Sequence, residues 1–217
     1  NAKEQFLTCQ TLELNRQKGV LSITPNRGTA KNRQIFAGTY VMRRDLFIDM
    51  IKKAHNTSAM YSLMDWVNLM CSEMDIRGVA HRGYFGSITN FKSYYDTSMS
   101  LIDLKTARSL FDPDWPIYTR TSDSCPTQYL EGADVKASVI SNGCRIEGTI
   151  DHSILSRGCI IKKGAVVKNC VILPDVVIGE DTVLENVVVD KHVRINHIKE
   201  VKGTPEHPGY VKRGDHL

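Results

Sequence analysis

Any chemistry in this chain has to come from a small set of side chains. The seven histidines are His55, His81, His152, His192, His197, His207 and His216. None falls into a ligand spacing such as H-E-x-x-H, which would put two imidazoles on one helix face. His152 stands alone in an aliphatic repeat, where an imidazole can serve as the base of an acyl transfer; a histidine at a surface corner is the simpler reading. Six cysteines (Cys9, Cys71, Cys125, Cys144, Cys159, Cys170) contain no C-x-x-C pair. Buried free thiols in a reducing compartment account for them, with zinc and disulfide readings left open as lesser alternatives. Arg120, Arg157, Lys162, Lys163 and Lys168 bring positive charge together along the chain. Such a cluster either holds an anion or is solvated surface. No glycine-rich loop of the kind that cradles nucleotide phosphates occurs.

The element that positions these groups is a repeat. From Ile160 to Leu184 an aliphatic residue recurs every sixth position: Ile160, Val166, Ile172, Ile178, Leu184. Two residues before each stands something small or β-branched: Gly158, Gly164, Cys170, Val176, Thr182. Helices and hairpins have no reason to keep this period, whereas a parallel β-helix does, because each rung is one short strand plus one corner. The five aliphatics are therefore the expected core. The repeat begins near Ala133, and Gly148–His152 reads as an insertion of two residues, since Ile154 follows Ile146 by eight. Residues eighteen apart are expected on one side of a three-sided coil. That places Ile161, Val177 and Ile195 outward on one side, Val167 and Val183 on the next, and Val171, Leu173 and Val189 on the third. Such apolar faces can be β-formers in exposed strands; packing of at least two of them against the α/β part and a second subunit is expected, with Val171, Leu173 and Val189 as candidate subunit contacts.

Upstream, Phe6–Leu14, Val20–Ile23, Gln34–Met42 and Ile76–Phe85 read as strands, and Pro25–Asn32 as a loop. Two helices are expected with apolar faces Phe47, Met50, Ile51, Ala54 and Leu63, Trp66, Val67, Met70, the first capped by Asp45. A third, capped by Ser87 or Thr89, carries Phe91, Tyr95, Met99 and Ile102. The expected organisation is an α/β fragment over 1–111, a proline-rich linker over 112–130, the β-helix over 131–200 and a polar tail over 201–217. With 217 residues, 41% hydrophobic and a net charge of +4, the chain can build a core. Its weak basic bias is no nucleic-acid footprint, and no apolar run is long enough for a membrane span. Asn1-Ala2-Lys3-Glu4 is polar, lacks an initiator Met and does not read as a signal peptide. The expected setting is cytoplasmic, and the chain reads as a piece of a longer one.

Ser141 to Ile150, then Ser153-Ile154-Leu155, then Val171-Ile172-Leu173-Pro174, resemble the carboxy-terminal domain of the ADP-glucose pyrophosphorylases (glucose-1-phosphate adenylyltransferases). Trp115-Pro116-Ile117-Tyr118-Thr119 is similar to that family's linker. Phe36 to Phe47 is similar to a strand and helix late in its Rossmann-like nucleotidyltransferase domain. Within the family the chain looks most like the GlgD-type companion subunits. The resemblance implies a left-handed β-helix of hexapeptide repeats. It also implies a reaction that joins glucose 1-phosphate to the adenylyl group of ATP and releases pyrophosphate, using Mg²⁺.

The resemblance further implies which positions are altered. Where catalytic members carry Glu-Lys-Pro, this chain has Ile23-Thr24-Pro25. Where they carry Ser-Met-Gly, it has Phe36-Ala37-Gly38. Where they carry Tyr-Trp-Arg-Asp-Val-Gly-Thr, it has Tyr84-Phe85-Gly86-Ser87-Ile88-Thr89-Asn90. Ile23, Thr24, Phe36 and Ser87 thus mark a substituted sugar-phosphate pocket, with no catalytic residue, no metal ligand and no cofactor expected in this stretch. The family's regulation by phosphorylated metabolites makes Arg120, Arg157, Lys162 and Lys163 candidates for an anionic effector. The expected role is a companion subunit, catalytically weak or silent, that assembles with a catalytic subunit and touches neither nucleic acid nor membrane. An active nucleotidyltransferase with an unusual pocket, or a hexapeptide acyltransferase, are the alternatives.

Overall fold

The computed structural model of the chain describes residues 6, 9–28, 34–57, 62–119 and 121–217. Contacts divide the chain into two units, Asn1–Arg82 and Gly83–Leu217. The boundary lies well before the expected one at residue 111, because the helix carrying Tyr95 belongs with the repeat.

In the first unit, β1 (Gln10–Leu14) and β2 (Val20–Pro25) form an antiparallel hairpin, and β3 (Gln34–Phe36) pairs with the other edge of β1. The turn is closed by Asn15, whose Oδ1 accepts from the N–H groups of Gln17 and Gly19. Helices α1 (Arg44–His55) and α2 (Leu63–Met70) supply Met50, Trp66 and Val67 to a core shared with Val20 and Ile23. Burying each such side chain stabilises by about 1.5–3 kcal/mol. Asp45 lies inside α1 and does not cap it; Arg43 holds the cap position and reaches Asp45 at 2.9 Å. The expected strand Gln34–Met42 stops at Phe36 and is followed by Gly38 at φ +74, a left-handed residue that cannot continue a strand. Ile76–Phe85 makes only one bridge, Gly19 to Arg77. The expected loop at Pro25–Asn32 lies partly outside the described residues.

The second unit begins with α3 (Phe91–Ser100) and α4 (Leu104–Leu110). Asn90, rather than Ser87 or Thr89, caps α3 in a reciprocal capping box with Ser93. From β4 (Gln128–Tyr129) to β18 (Gly209–Val211) the chain winds a parallel β-solenoid of three five-stranded sheets. Sheet C stacks Gln128–Tyr129, Arg145–Ile146, Ile160–Ile161, Val177–Ile178 and Arg194–Ile195; sheet D stacks Asp134–Lys136, Thr149–Asp151, Val166–Lys168, Val183–Glu185 and Glu200–Lys202; sheet E stacks Val139–Ile140, Ile154–Leu155, Val171–Ile172, Val187–Val189 and Gly209–Val211. Strand β10 spans Ile160–Ile161, and β17 spans Glu200–Lys202.

The residues in register across most coils are seventeen apart, not eighteen: Ile160 lies opposite Val177, Val166 opposite Val183 and Val171 opposite Val188. Two sides of a coil take six residues and the third takes five. The fully buried column therefore runs Leu155, Ile161, Val167, Ile172, Ile178, Leu184, Val189, Ile195. Ile172, Ile178 and Leu184 are core as expected. Ile160 and Val166 are not; they point outward, Ile160 at 36% exposure, and Ile161 and Val167 take their places. The reason is local. Ile160-Ile161 and Val166-Val167 are paired aliphatics in strands of two or three residues, so either member satisfies a count of six. The five-residue side between Val167 and Ile172 decides which one faces in. The small inward positions move likewise, to Cys159 and Ala165.

The expected insertion at Gly148–His152 is a shortening. Arg145 lies opposite Ile160 and Thr149 opposite Asp134, fifteen residues apart. The tight corner needs Gly148, because a Cβ there would stand 2.4 Å from the Ala165 carbonyl oxygen. Nor is 201–217 a tail: Val211 is buried, Val201 and Leu217 pack on the core, and β17 and β18 complete the last coil. The linker expected over 112–130 overlaps β4 and belongs to the second unit.

Replacing Gly148 by Ala should lower the stability of the second unit by about 1–3 kcal/mol. Ile172→Asp, which buries an unpaired carboxylate, should abolish the cooperative transition. Thermal unfolding followed by circular dichroism reads both; an unchanged midpoint for either variant would contradict the close approach at Gly148 or the burial of Ile172, respectively.

Candidate functional site

Ile23, Thr24 and Phe36, expected to mark a substituted sugar-phosphate pocket, pack within the first unit. Ile23 is 2% exposed, and its backbone is held on both sides by one amide. Its N–H donates to Asn68 Oδ1 at 2.7 Å, and Asn68 Nδ2 donates to its carbonyl at 2.9 Å. Asn68 thus acts as a one-residue strand on the edge of β2, a role its sequence context did not signal. Thr24 lies across from Thr11 in the β1–β2 ladder, with Thr11 Oγ1 donating to the Thr24 carbonyl at 3.3 Å. Phe36 packs on the same core and meets Tyr40 edge-on, ring centroids 5.1 Å apart. A carboxylate at 23 would face the apolar core with no partner to offset its desolvation. Ser87 lies in the second unit and is buried. Among the described residues, no group of three or more His, Cys, Asp or Glu converges as metal ligands.

Among the described residues the candidate cations do not form one site. Lys162 and Lys163 share the corner after β10, whereas Arg157 sits at the corner before it. Arg120 lies outside the described residues. His152 is a corner residue at φ 45, and its Nδ1 lies 3.0 Å from Asn169 Oδ1 on the next coil.

The three faces of the solenoid differ sharply. Sheet E is covered by the chain itself. Tyr95 of α3 packs on Val171 and Val188, with Tyr94, Met99 and Leu173 around them. The Tyr95 hydroxyl donates to the Asn169 carbonyl at 2.7 Å. Phe91 meets Tyr210 edge-on at 5.5 Å, and the Tyr210 hydroxyl donates to Asp190 at 2.8 Å. Val171 and Leu173, expected as subunit contacts, therefore hold an internal helix, and Val189 points into the core. The signal that could have found this is the stripe Phe91, Tyr95, Met99, which needs an apolar partner face.

Sheet D carries a ladder of alternating charge in register: Lys136, Asp151, Lys168, Glu185, Lys202. The Lys136 ammonium is held above its usual pKa by Asp134 first and by Asp151 as well; Glu200 and then Glu185 do the same for Lys202. Sheet C presents Arg145, Ile160, Val177 and Arg194 in one outward column.

Comparison with known proteins supports this architecture. Residues 126–207 match the family described as GlmU-like, C-terminal hexapeptide. The glycogen biosynthesis protein GlgD of Bacillus subtilis (strain 168) is 39% identical over 175 residues, which is 81% of this chain and 51% of that protein. The chain resembles the GlgD-type members of the glucose-1-phosphate adenylyltransferase family. GlgD of Geobacillus stearothermophilus is 38% identical over the same share of each chain. The glucose-1-phosphate adenylyltransferase of Streptomyces coelicolor is 37% identical over 86 residues, 40% of this chain and 22% of that enzyme. The GlgD-type resemblance thus extends well beyond the stretch shared with the enzyme, and the chain spans about half the length of the GlgD proteins it matches.

Burial raises the Tyr95 phenol to about 12. Its folded-state pKa stands above that of a free phenol, so its contribution to docking α3 is intact below pH 10 and is lost as pH climbs through about 12. Hydrogen exchange of α3 amides should show this alkaline loosening, and Tyr95→Phe should remove it at a cost of about 1 kcal/mol from the lost hydrogen bond. Glu185→Lys should place like charges along sheet D and cost about 0.2–1 kcal/mol, an effect that shrinks with added salt.

Proposed function

We propose that this chain is part of a companion subunit in glycogen biosynthesis, one that supports a catalytic glucose-1-phosphate adenylyltransferase rather than turning over substrate itself. The observation that carries the reading is Ile23. The position matched to a substrate-pocket acid in catalytic members is a core aliphatic clamped by Asn68. Thr24 offers no cation, and Phe36 no hydroxyl, where that pocket uses them. ATP, Mg²⁺ and glucose 1-phosphate are then ligands of the catalytic partner.

Assembly with that partner rests on surface of the second unit that α3 does not cover. Sheet E is occupied by α3, so sheets C and D are the faces offered. Among the described residues no helix is long and apolar enough to cross a membrane. All six cysteines are free thiols, in keeping with a cytoplasmic setting.

The full-length protein should make no ADP-glucose alone. Mixed with a catalytic glucose-1-phosphate adenylyltransferase from the same cell, it should change that enzyme's kcat or its response to phosphorylated effectors, and co-elute with it. ADP-glucose formation by the isolated protein, or partner kinetics that are the same with and without it, would overturn the reading.

A further inference from the structure

Cys144 and Cys159 are stacked on consecutive coils. Arg145 lies opposite Ile160, and the Arg145 N–H donates to the Cys159 carbonyl at 2.9 Å, so the preceding residues face each other across the ladder. Both thiols occupy the inward position two residues before a core aliphatic, Ile146 and Ile161, and both are buried. Neighbouring strands lie about 4.7–4.9 Å apart, inside the span of about 4.4–6.8 Å between Cα atoms joined by a disulfide. Cys170 is equally buried on another side of the coil, but its column neighbours are Ser153 and Val187. Its N–H donates to Ser153 Oγ at 3.0 Å. The same fold therefore holds one paired thiol site and one solitary buried thiol.

The electrostatics divide the pair. Donation from the Cys159 thiol lowers the Cys144 pKa to about 6. The hydrogen bond to Cys144 and burial push Cys159 up. Each sulfur also has a carbonyl in reach, Ser156 O at 3.2 Å from Cys144 Sγ and Leu173 O at 3.3 Å from Cys159 Sγ.

We infer that Cys144 and Cys159 are an oxidation-sensitive pair that closes a reversible disulfide across two coils of the solenoid under a peroxide. The Cys144 thiolate attacks a peroxide oxygen; the S–O bond forms, the O–O bond breaks, and hydroxide leaves and takes up a proton. The Cys159 sulfur, giving up its proton, then attacks the Cys144 sulfenic sulfur. The S–S bond forms, the S–O bond breaks, and water leaves. Two thiols lose two electrons and two protons, and one hydrogen peroxide becomes two waters.

The test treats the folded full chain with hydrogen peroxide and maps peptides by mass without reduction. A single Cys144–Cys159 cross-link is expected, two hydrogens lighter than the free peptides, reversed by dithiothreitol, with Cys170 still a free thiol. The cross-linked protein should melt at a higher temperature, because the bridge restricts the unfolded chain. In Cys144→Ser, Cys159 should form no cross-link under the same treatment. Three results would overturn the proposal: both thiols still reduced in a protein that has stayed folded, separate over-oxidation of the two without a bridge, or a bridge to Cys170 at equal yield.

Discussion

The stacking of one coil on the next carries the second unit. Its strands are two or three residues long, far too short to persist alone, so each depends on the ladder bonds to the coils above and below it. The chain can keep returning to register only if it turns sharply at every corner. It does so with left-handed residues: Gly143, Gly158 and Gly164 early, then Asn169, Asp175, Asp181, Asn186 and His192. Glycine, asparagine and aspartate tolerate that conformation best. The corner that closes with fewest residues uses Gly148 for a different reason, close approach of a neighbouring carbonyl.

Once the coils stack, the three outer faces acquire different lives from the same construction. One face is apolar in its middle coils and is sealed by α3 through Tyr95, Val171 and Val188. Another is a column of alternating charge, which settles the sheet surface against itself and keeps it wet. The third mixes arginines with Ile160 and Val177. In the first unit Ile23 lies in the core and Phe36 packs onto Tyr40.

Much of this was legible in the residue pattern. The recurrence of aliphatics marks a parallel β-helix, because no other regular structure keeps that period. The α2 stripe of Leu63, Trp66 and Val67 was readable as a buried helix face. What could not be read was phase. With Ile160 beside Ile161 and Val166 beside Val167, hydrophobicity is the same for either choice, and only the five-residue side at Asn169 breaks the tie. The same ambiguity hid Cys159 as the partner of Cys144. It also put Val189 on the surface when it is core.

The sequence by itself determined the class of fold and the uncharged side chains at Ile23, Thr24, Phe36 and Ser87, because both follow from residue type at given spacings. Tertiary structure alone decided the seventeen-residue coil, the helix that covers sheet E, the backbone clamp of Asn68 on Ile23 and the pairing of two thiols. Each of these depends on residues brought together from different turns of the chain. Local pattern gives no account of which turn lies against which until the coils are closed.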